Sequence, residues 1–273
     1  LVEPTAGRIT FDGEDLLALG GVELRRRRRR FQMVFQDPYD SLDPRQRVGA
    51  AVAEPLAIHT SLDRAGRTRR TAELLEMVGL AAELGGRYPH ELSGGQRQRV
   101  GIARALAAEP DLVVADEPVS SLDVTVRAAV LDLLAGLRVR LGLTLLLISH
   151  DLTAVERLAD RVAVMYLGRI VEIGKRREVL LRPLHPYTVS LLSAVPRPEP
   201  GRRRSRIVLP GDPPSPLEPP PGCPFHPRCP IARPRCATER PSLETAGEGE
   251  HRAACFYPGE LAAAGGQGGR AVS

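Results

Sequence analysis

Short apolar runs alternate with longer amphipathic stretches over about the first two thirds of the chain. The runs at 31–35, 112–115 and 143–148 have the length of buried strands, and the apolar spacing in 48–106 and 124–141 predicts helices. Strands that are apolar along their whole length and are separated by helices are typical of a largely parallel sheet covered on both faces. The pattern therefore predicts an α/β fold.

Two further segments extend this pattern, a helix at 151–160 and a hairpin whose strands, 161–166 and 169–173, flank Gly168. The helical stretch at about 48–107 is too long for a simple crossover between two strands. It therefore predicts a helical subdomain inserted into the sheet domain.

The composition changes after this region. Proline becomes dense between 196 and 221, and such a segment acts as a semi-rigid spacer. All four cysteines follow it, and the last residues are rich in alanine and glycine. We predict the α/β domain at 1–182, a helix and proline-rich linker at 183–222, a small cysteine-rich extension at 223–258 and a disordered tail at 259–273.

The overall composition is that of a soluble globular protein, with 42% hydrophobic and 26% charged residues among 273. No apolar run approaches the roughly 18 residues of a membrane-spanning helix, and the first residues lack the features of a signal peptide. We therefore expect a cytoplasmic location, and any role at a membrane requires a partner that spans it.

The net charge of +5 is concentrated in two arginine runs, Arg25–Arg30 and Arg202–Arg204. Such runs can bind nucleic acid or anionic lipid. No aromatic residues interleave with them to stack on bases, so a solvated helix face is the favoured interpretation and no direct binding of nucleic acid is expected.

Two adjacent carboxylates, Asp116 and Glu117, follow the apolar strand at 112–115. Open α/β sheets bind ligands at the carboxyl ends of their strands. There Asp116 is suited to hold Mg²⁺ and Glu117 to polarise a water molecule that attacks a γ-phosphate. Taken alone, this pair is better explained as an ordinary strand end.

A second motif, Ser93-Gly94-Gly95, precedes a helical segment that runs to Leu106. Ser93 can cap this helix, and the glycines let backbone N–H groups approach a phosphate at its positive end. By itself this turn would more often be a plain helix start.

Together these motifs resemble those of ABC ATPases. Leu92–Gln96 is similar to the family's signature motif, Asp116 and Glu117 to its Walker B aspartate and catalytic glutamate, and Ser121–Asp123 to its D-loop. In the same way, His150 resembles the switch histidine and Gln36 the Q-loop glutamine. The resemblance implies an ABC-type ATPase sheet with an inserted helical subdomain.

The resemblance also implies a mechanism that uses ATP and Mg²⁺. Two such subunits sandwich ATP head to tail. Asp116 and Gln36 are expected to hold Mg²⁺, Gln36 also senses the γ-phosphate, Glu117 is the catalytic base and His150 positions the phosphate and the attacking water. The residues expected to contact nucleotide besides Gln36 are Ser93, Gly94, Gly95, Gln96 and Asp123, the first four of them acting on nucleotide held by the partner.

One motif of the family is not found in the 273 residues, namely the phosphate-binding loop Gly-x-x-x-x-Gly-Lys-[Ser/Thr], or Walker A. In the family this loop and its helix lie shortly before a segment like 1–13. We therefore expect the chain as given to be truncated at its N-terminus. Without the lysine and backbone cradle for the phosphates, it is expected to bind ATP poorly and to be inactive alone.

The C-terminal third resembles the tail of oligopeptide and dipeptide importer ATPases. The similar segments are His185–Thr188 with Leu191–Leu192, the run from Gly222 through Cys229, and the Q-loop region Phe35–Pro38 with Ser41–Pro44. Some relatives with this tail import nickel or other solutes, which remains an alternative. Two further alternatives are a non-transport ABC ATPase acting on nucleic acid and a metal-binding interaction module without enzymatic activity.

The four cysteines, Cys223, Cys229, Cys236 and Cys255, have the spacing C-x5-C-x6-C-x18-C. This spacing matches neither paired C-x2-C zinc sites nor common ferredoxin runs, and a disulfide is not expected in a reducing cytoplasm. A 4Fe-4S cluster or a zinc ion on four thiolates is one hypothesis, since a small proline-rich segment has little core. Free thiols are the other, and His226 and His251 are substitute ligands.

These observations lead to one overall expectation. The protein is an ATPase subunit that energises an importer, peripheral on the cytoplasmic face of the cell membrane. Its expected partners are transmembrane permease subunits, a second ABC ATPase subunit in a homo- or heterodimer and, indirectly, a solute-binding protein.

Overall fold

The computed structural model describes residues 4–36, 42–194, 207–246 and 249–266. The chain divides into two compact units, Leu1–Leu158 and Ala159–Ser273. The Arg202–Arg204 run, Asp37, Pro38 and Ser41 lie outside the described residues.

A parallel sheet forms the centre of the first unit. Its strands β3 (Phe31–Val34), β4 (Leu112–Asp116) and β5 (Thr144–Ile148) are hydrogen-bonded in the order β3-β4-β5. A two-stranded antiparallel hairpin, β1 (Thr10–Phe11) and β2 (Glu14–Asp15), lies earlier in the chain. The α/β fold and its parallel strands are therefore as predicted.

Six α-helices are found among the described residues of the first unit. They are α1 (Gly21–Arg28), α2 (Val48–His59), α3 (Arg64–Met77), α4 (Gly94–Leu106), α5 (Val124–Leu141) and α6 (Leu152–Leu158). Helices α2, α3 and α4 fall within the predicted helical stretch at 48–107 and pack against each other. Their apolar side chains join the sheet in one core, with Val48, Leu75 and Val100 fully buried.

One face of the parallel sheet carries this core. Val34, Val113 and Ala115 are buried beneath α4 and α5, because alternate residues of a strand point to opposite faces. The other face leaves large apolar side chains in solvent, with Phe35 49% and Leu146 52% exposed. On this face Phe31 is in edge contact with Phe11 of the β1–β2 hairpin, with 5.4 Å between the ring centroids. The expectation that helices cover both faces is therefore wrong for the described part of this unit.

A four-stranded antiparallel sheet organises the second unit. Its strands are β6 (Arg161–Tyr166), β7 (Arg169–Lys175), β8 (Glu244–Thr245) and β9 (Arg252–Ala253), in the order β6-β7-β9-β8. Strands β6 and β7 form the hairpin that was predicted around Gly168, whose φ is +73°. Strand β9 brings the cysteine-rich segment onto the edge of this hairpin.

The described residues of this unit also form four short α-helices: α7 (Arg176–Leu181), α8 (Pro186–Ser193), α9 (Pro234–Thr238) and α10 (Glu260–Gly266). Residues 267–273 of the tail predicted at 259–273 lie outside the description. Phe225 is the centre of the unit's aromatic core, with its ring centroid 5.3 Å from that of Tyr166 and 5.5 Å from that of Tyr187. Among the described helices, we find none long and apolar enough to cross a membrane.

Candidate functional site

The parallel sheet brings the predicted site residues of three strands to one edge. Asp116 ends β4 and Glu117 follows it, while Gln36 and His150 each lie two residues beyond the ends of β3 and β5. The strands are neighbours in the order β3-β4-β5, so their carboxyl ends lie side by side. This is the edge at which open α/β sheets bind ligands.

Glu117 and His150 are in direct contact at this edge. Oε1 of Glu117 lies 2.7 Å from Nδ1 of His150 and accepts the backbone N–H of the same residue over 3.0 Å. The backbone N–H of Glu117 donates in turn to the Ile148 carbonyl over 2.9 Å. The carboxylate is mostly buried, with 17% of the side chain exposed, whereas the imidazole is 77% exposed. Glu117 therefore holds the His150 ring in an orientation that exposes the imidazole to solvent, where it can contact a ligand.

Two features of Glu117 are unusual for a strand-end residue. Its φ of +46° places a non-glycine residue in the left-handed region, a conformation that costs about 1 kcal/mol or more and is concentrated at functional sites. Its Oε2 atom is buried and accepts no hydrogen bond from any residue that the structure describes. A buried carboxylate oxygen of this kind is an acceptor available to a water molecule or a metal-bound group.

The start of helix α4 presents the predicted Ser93–Gln96 motif. Ser93 is the N-cap, because its Oγ accepts the Gln96 N–H over 3.3 Å while the Gln96 amide oxygen accepts the Ser93 N–H over 2.9 Å. Gly94 and Gly95 occupy the first helical turn, where backbone N–H groups point out of the helix and the dipole favours anions. The geometry fits a phosphate-facing helix end.

Asp123 lies beside this helix end and caps α5. Its Oδ1 accepts the N–H groups of Thr125 and Val126 over 3.1 and 3.0 Å. A Cβ atom added to Gly94 would lie 3.5 Å from the Leu122 side chain, and one added to Gly95 would lie 2.3 Å from Val126. The starts of α4 and α5 are therefore packed so closely that a side chain at position 95 would clash with Val126.

Tight turns connect this cluster to the strand edge. The Ser120 N–H donates to the Glu117 carbonyl over 3.2 Å, and the Leu122 N–H donates to the Val119 carbonyl over 3.2 Å. The segment from Glu117 to Asp123 is thus a compact link between the Glu117 carboxylate and the starts of α4 and α5.

Sequence reasoning missed a charged contact that borders this site. Arg127 donates through Nη1 to Oδ2 of Asp151 and through Nη2 to the Leu122 carbonyl, each over 3.1 Å. Burial opposes ionisation of Asp151, but hydrogen bonds from Thr153 and Arg127 outweigh it and lower the pKa of the carboxyl. The available signal was positional, since Arg127 lies one helical turn after Asp123 and Asp151 directly follows His150.

The four cysteines converge in the second unit. All of them are free and line one cavity, together with His185, Phe225 and other side chains. Burial raises the pKa of Cys229 and of Cys255 to about 11, and it also raises the pKa of Cys223, where a backbone hydrogen bond partly opposes it.

The donors around this cavity do not form a coordination site as placed. Among the described residues, no group of three or more His, Cys, Asp or Glu side chains has an arrangement that could hold a metal ion. His251 bonds through Nε2 to the fully buried Glu172 carboxylate over 2.8 Å, and Nδ1 of His226 contacts the Cys223 carbonyl over 2.9 Å. Of the two histidines that were substitute ligands in the sequence hypothesis, His251 is therefore engaged by Glu172, whereas His226 lines the cysteine cavity.

Two family models match the chain. One, described as ABC transporter, matches residues 1–120, and the other, described as oligopeptide/dipeptide transporter, C-terminal region, matches residues 171–236. The second match covers most of β7, the Pro-rich segment and three of the four cysteines.

Curated relatives match nearly the whole chain. A putative peptide import ATP-binding protein of Brucella ovis is 53% identical over 253 residues, which are 93% of this chain and 80% of that protein. The dipeptide transport ATP-binding protein DppF of Escherichia coli is 50% identical over 253 residues, 93% of this chain and 75% of that protein.

Solved structures show the same fold. The ATP-binding cassette MJ0796, a dimer with ADP and phosphate in a post-hydrolysis state, is 31% identical with a TM-score of 0.58, over 64% of this chain and 76% of that one. The protein cbiO1 of Clostridium perfringens, part of the transporter complex cbiONQ, is 29% identical with a TM-score of 0.60, over 70% and 72% of the two chains.

Proposed function

The chain belongs to the ATP-binding subunits of ABC transporters of the oligopeptide and dipeptide type, and on this premise we propose that it hydrolyses ATP to energise peptide import. The observation that carries this proposal is the contact between Glu117 and His150 at the carboxyl edge of the parallel sheet. The peptide class of the substrate rests on the names of the relatives and on the match at 171–236.

The site residues fit Mg²⁺-ATP. Asp116 and Gln36 supply oxygen ligands, the donor type that Mg²⁺ prefers, and Mg²⁺ neutralises charge on the phosphates when it is bound. Glu117 offers its buried Oε2 to the attacking water as a proton acceptor, while its Oε1 keeps the His150 ring turned outward. Phosphoryl transfer depends mainly on positioning and charge stabilisation, which this arrangement provides.

The α4 start supplies the second half of the site in a head-to-tail dimer. Its N–H groups and Ser93 then face nucleotide held by the other subunit, and Gly94 allows close approach. The second subunit is a copy of this chain or a related ATPase. The pair is proposed to dock on transmembrane permease subunits at the cytoplasmic face of the membrane and to serve a solute-binding protein indirectly.

Substitution of the catalytic carboxylate tests this function. In the assembled importer, Glu117→Gln is expected to abolish steady ATP turnover while ATP binding persists, because the amide cannot accept a proton from water. Glu109→Gln is a matched control, since Glu109 is also a non-glycine residue at positive φ, +52°, and pairs with Arg70 away from the sheet edge. Retained turnover in Glu117→Gln would remove Glu117 from the role of base.

The phosphate-binding loop provides a second test. We propose that the 273 residues by themselves bind Mg²⁺-ATP weakly, because they contain no Gly-x-x-x-x-Gly-Lys-[Ser/Thr] cradle for the phosphates. Nucleotide binding measured with and without Mg²⁺ decides this. Tight Mg²⁺-dependent binding by the 273-residue chain would contradict the proposal.

A metal or cluster on the four thiols is a finer proposal. It is supported by the convergence of Cys223, Cys229, Cys236 and Cys255 on one cavity, although their sulfur atoms must shift to coordinate. The four thiolates would be the ligands, and the bound group would stabilise the fold of the segment after the proline-rich linker. Iron and zinc analysis of anaerobically purified protein tests it, and finding neither metal would favour free thiols.

A further inference from the structure

The side chain of Arg127 joins two segments that enter the candidate site from different elements. It is hydrogen-bonded to the Asp151 carboxylate and to the Leu122 carbonyl, each over 3.1 Å. Asp151 directly follows His150, and Leu122 directly precedes Asp123. One guanidinium therefore holds the immediate neighbours of two predicted site residues.

Both partners of Arg127 are themselves fixed. The Asp151 N–H donates to Ser149 Oγ over 3.0 Å, and Oδ1 of Asp151 accepts the Thr153 N–H over 2.8 Å. Leu122 closes the turn that leads to α5, and the Arg127 N–H donates to the Asp123 carbonyl over 2.8 Å. The planar fork of arginine can hold two acceptors in one defined geometry, which a flexible point charge cannot do.

The surroundings of the guanidinium favour a defined geometry over a loose surface ion pair. The Arg127 side chain is 33% exposed and that of Asp151 is 18% exposed. The Nε atom of Arg127 is buried and makes no hydrogen bond to any described residue. An ion pair that served only to hold two helices together could lie at the surface, where the Nε–H of its arginine would be hydrated and not buried without a partner.

The two linked segments belong to different nucleotide sites in the proposed dimer. His150, held by Glu117, would face the nucleotide of its own subunit in that dimer. Leu122 packs beside Gly94 at the α4 start, which the head-to-tail arrangement places on the nucleotide of the other subunit.

We propose that Arg127 is a positioning residue for ATP hydrolysis. Its side chain makes His150 and the 121–123 turn move as one unit, and this coupled movement links the two nucleotide sites. The inference rests on the proposed function. Movement of one segment can reach the other through two hydrogen bonds, because the Arg127 guanidinium contacts both the Asp151 carboxylate and the Leu122 carbonyl.

Asp151 directly precedes α6, and a second ion pair between α5 and α6 serves as the control. Arg157 of α6 pairs with Asp132 of α5, on the part of these helices that contains none of the candidate site residues. If Arg127 only stabilises the packing of α5 on α6, then Arg127→Met and Arg157→Met should have similar effects.

The test measures ATP hydrolysis by the assembled importer against ATP concentration for both variants. Arg127→Met is expected to lower kcat by about tenfold, to change KM less than about twofold and to reduce the Hill coefficient toward 1. Arg157→Met is expected to leave all three unchanged. Arg127→Met is expected to melt at a lower temperature than Arg157→Met, because it leaves the mostly buried Asp151 carboxylate without its guanidinium, so the kinetics are compared at a temperature at which both variants are folded. Arg127→Lys is expected to be intermediate, because lysine keeps the charge but loses the fork.

Equal kinetic effects of Arg127→Met and Arg157→Met would overturn the inference, as would a reduced kcat in Arg127→Met with an unchanged Hill coefficient. If Arg127→Met does not fold, Arg127→Lys and Asp151→Asn are compared in its place, and their effects on kcat must be non-additive. If the unsubstituted complex fails to hydrolyse ATP, the proposed function fails. If that complex is active and the two variants behave alike, only the coupling role fails.

Discussion

Replacement of Gly95 by alanine tests the packing of the two helix starts. Gly95 lies in the first turn of α4 and is buried. An alanine Cβ would lie 2.3 Å from Cγ1 of Val126, a distance at which one of the two helices must shift. Val126 cannot rotate away easily, since β-branched side chains in helices keep one strongly preferred rotamer.

Two opposing effects determine the magnitude. Alanine is favoured over glycine inside a helix by about 1 kcal/mol, and this gain is offset by an overpacking cost of about 1–3 kcal/mol. We therefore expect Gly95→Ala to lower the free energy of unfolding by up to about 2 kcal/mol. Gly94→Ala is the matched control, because its Cβ would lie at an ordinary contact distance, 3.5 Å from Leu122.

Urea unfolding of the chain is the assay, with Val126→Ala completing a double-mutant cycle. Val126→Ala removes the atom that clashes, so Gly95→Ala should cost less in that background than in the unsubstituted chain. The reasoning is refuted if Gly95→Ala is as stable as Gly94→Ala, or if Val126→Ala leaves the cost of Gly95→Ala unchanged.

Two further predictions concern stability. Asp123→Ala is expected to cost about 1 kcal/mol by removing the α5 cap, whereas Asp123→Ser keeps an acceptor and should be nearly neutral in thermal unfolding; equal losses would contradict the capping role. His185 is buried, which lowers its pKa from 6.5 to about 4, so the folded state keeps it neutral while the unfolded state binds a proton. The free energy of unfolding should therefore fall by about 3 kcal/mol as the pH drops from 6.5 to 4, as measured by tyrosine fluorescence during urea unfolding. The fall should be smaller in His185→Asn, which keeps an acceptor for the Tyr187 N–H but no titrating ring.

The sequence predicted those parts of the site that follow from local pattern. Asp116, Glu117 and His150 lie at strand ends, and because parallel strands share a carboxyl edge, their proximity follows from the strand assignment alone. Ser93 and Asp123 precede helical segments, and residues of these types are frequent N-caps.

Features that depend on tertiary packing were not predictable. The contact of Arg127 with Asp151 requires α5 and α6 to pack in one particular way, and nothing in the local sequence marks either residue as paired. The same is true of Glu172, whose fully buried carboxylate accepts the N–H groups of Leu184 and His185 over 2.9 and 2.8 Å. The apolarity of 143–148 indicated a strand, but periodicity could not show that one face of it stays exposed.

The left-handed backbone of Glu117 has a consequence for protein engineering. Glycine adopts this conformation without steric cost and asparagine adopts it more readily than glutamate, so either residue at position 117 would relieve local strain. A screen of variants for heat resistance alone would therefore enrich substitutions at the carboxylate that we propose as the catalytic base. Selection for thermostability in this protein needs an ATPase assay at each round, because thermal stability and ATPase activity favour different residues at position 117.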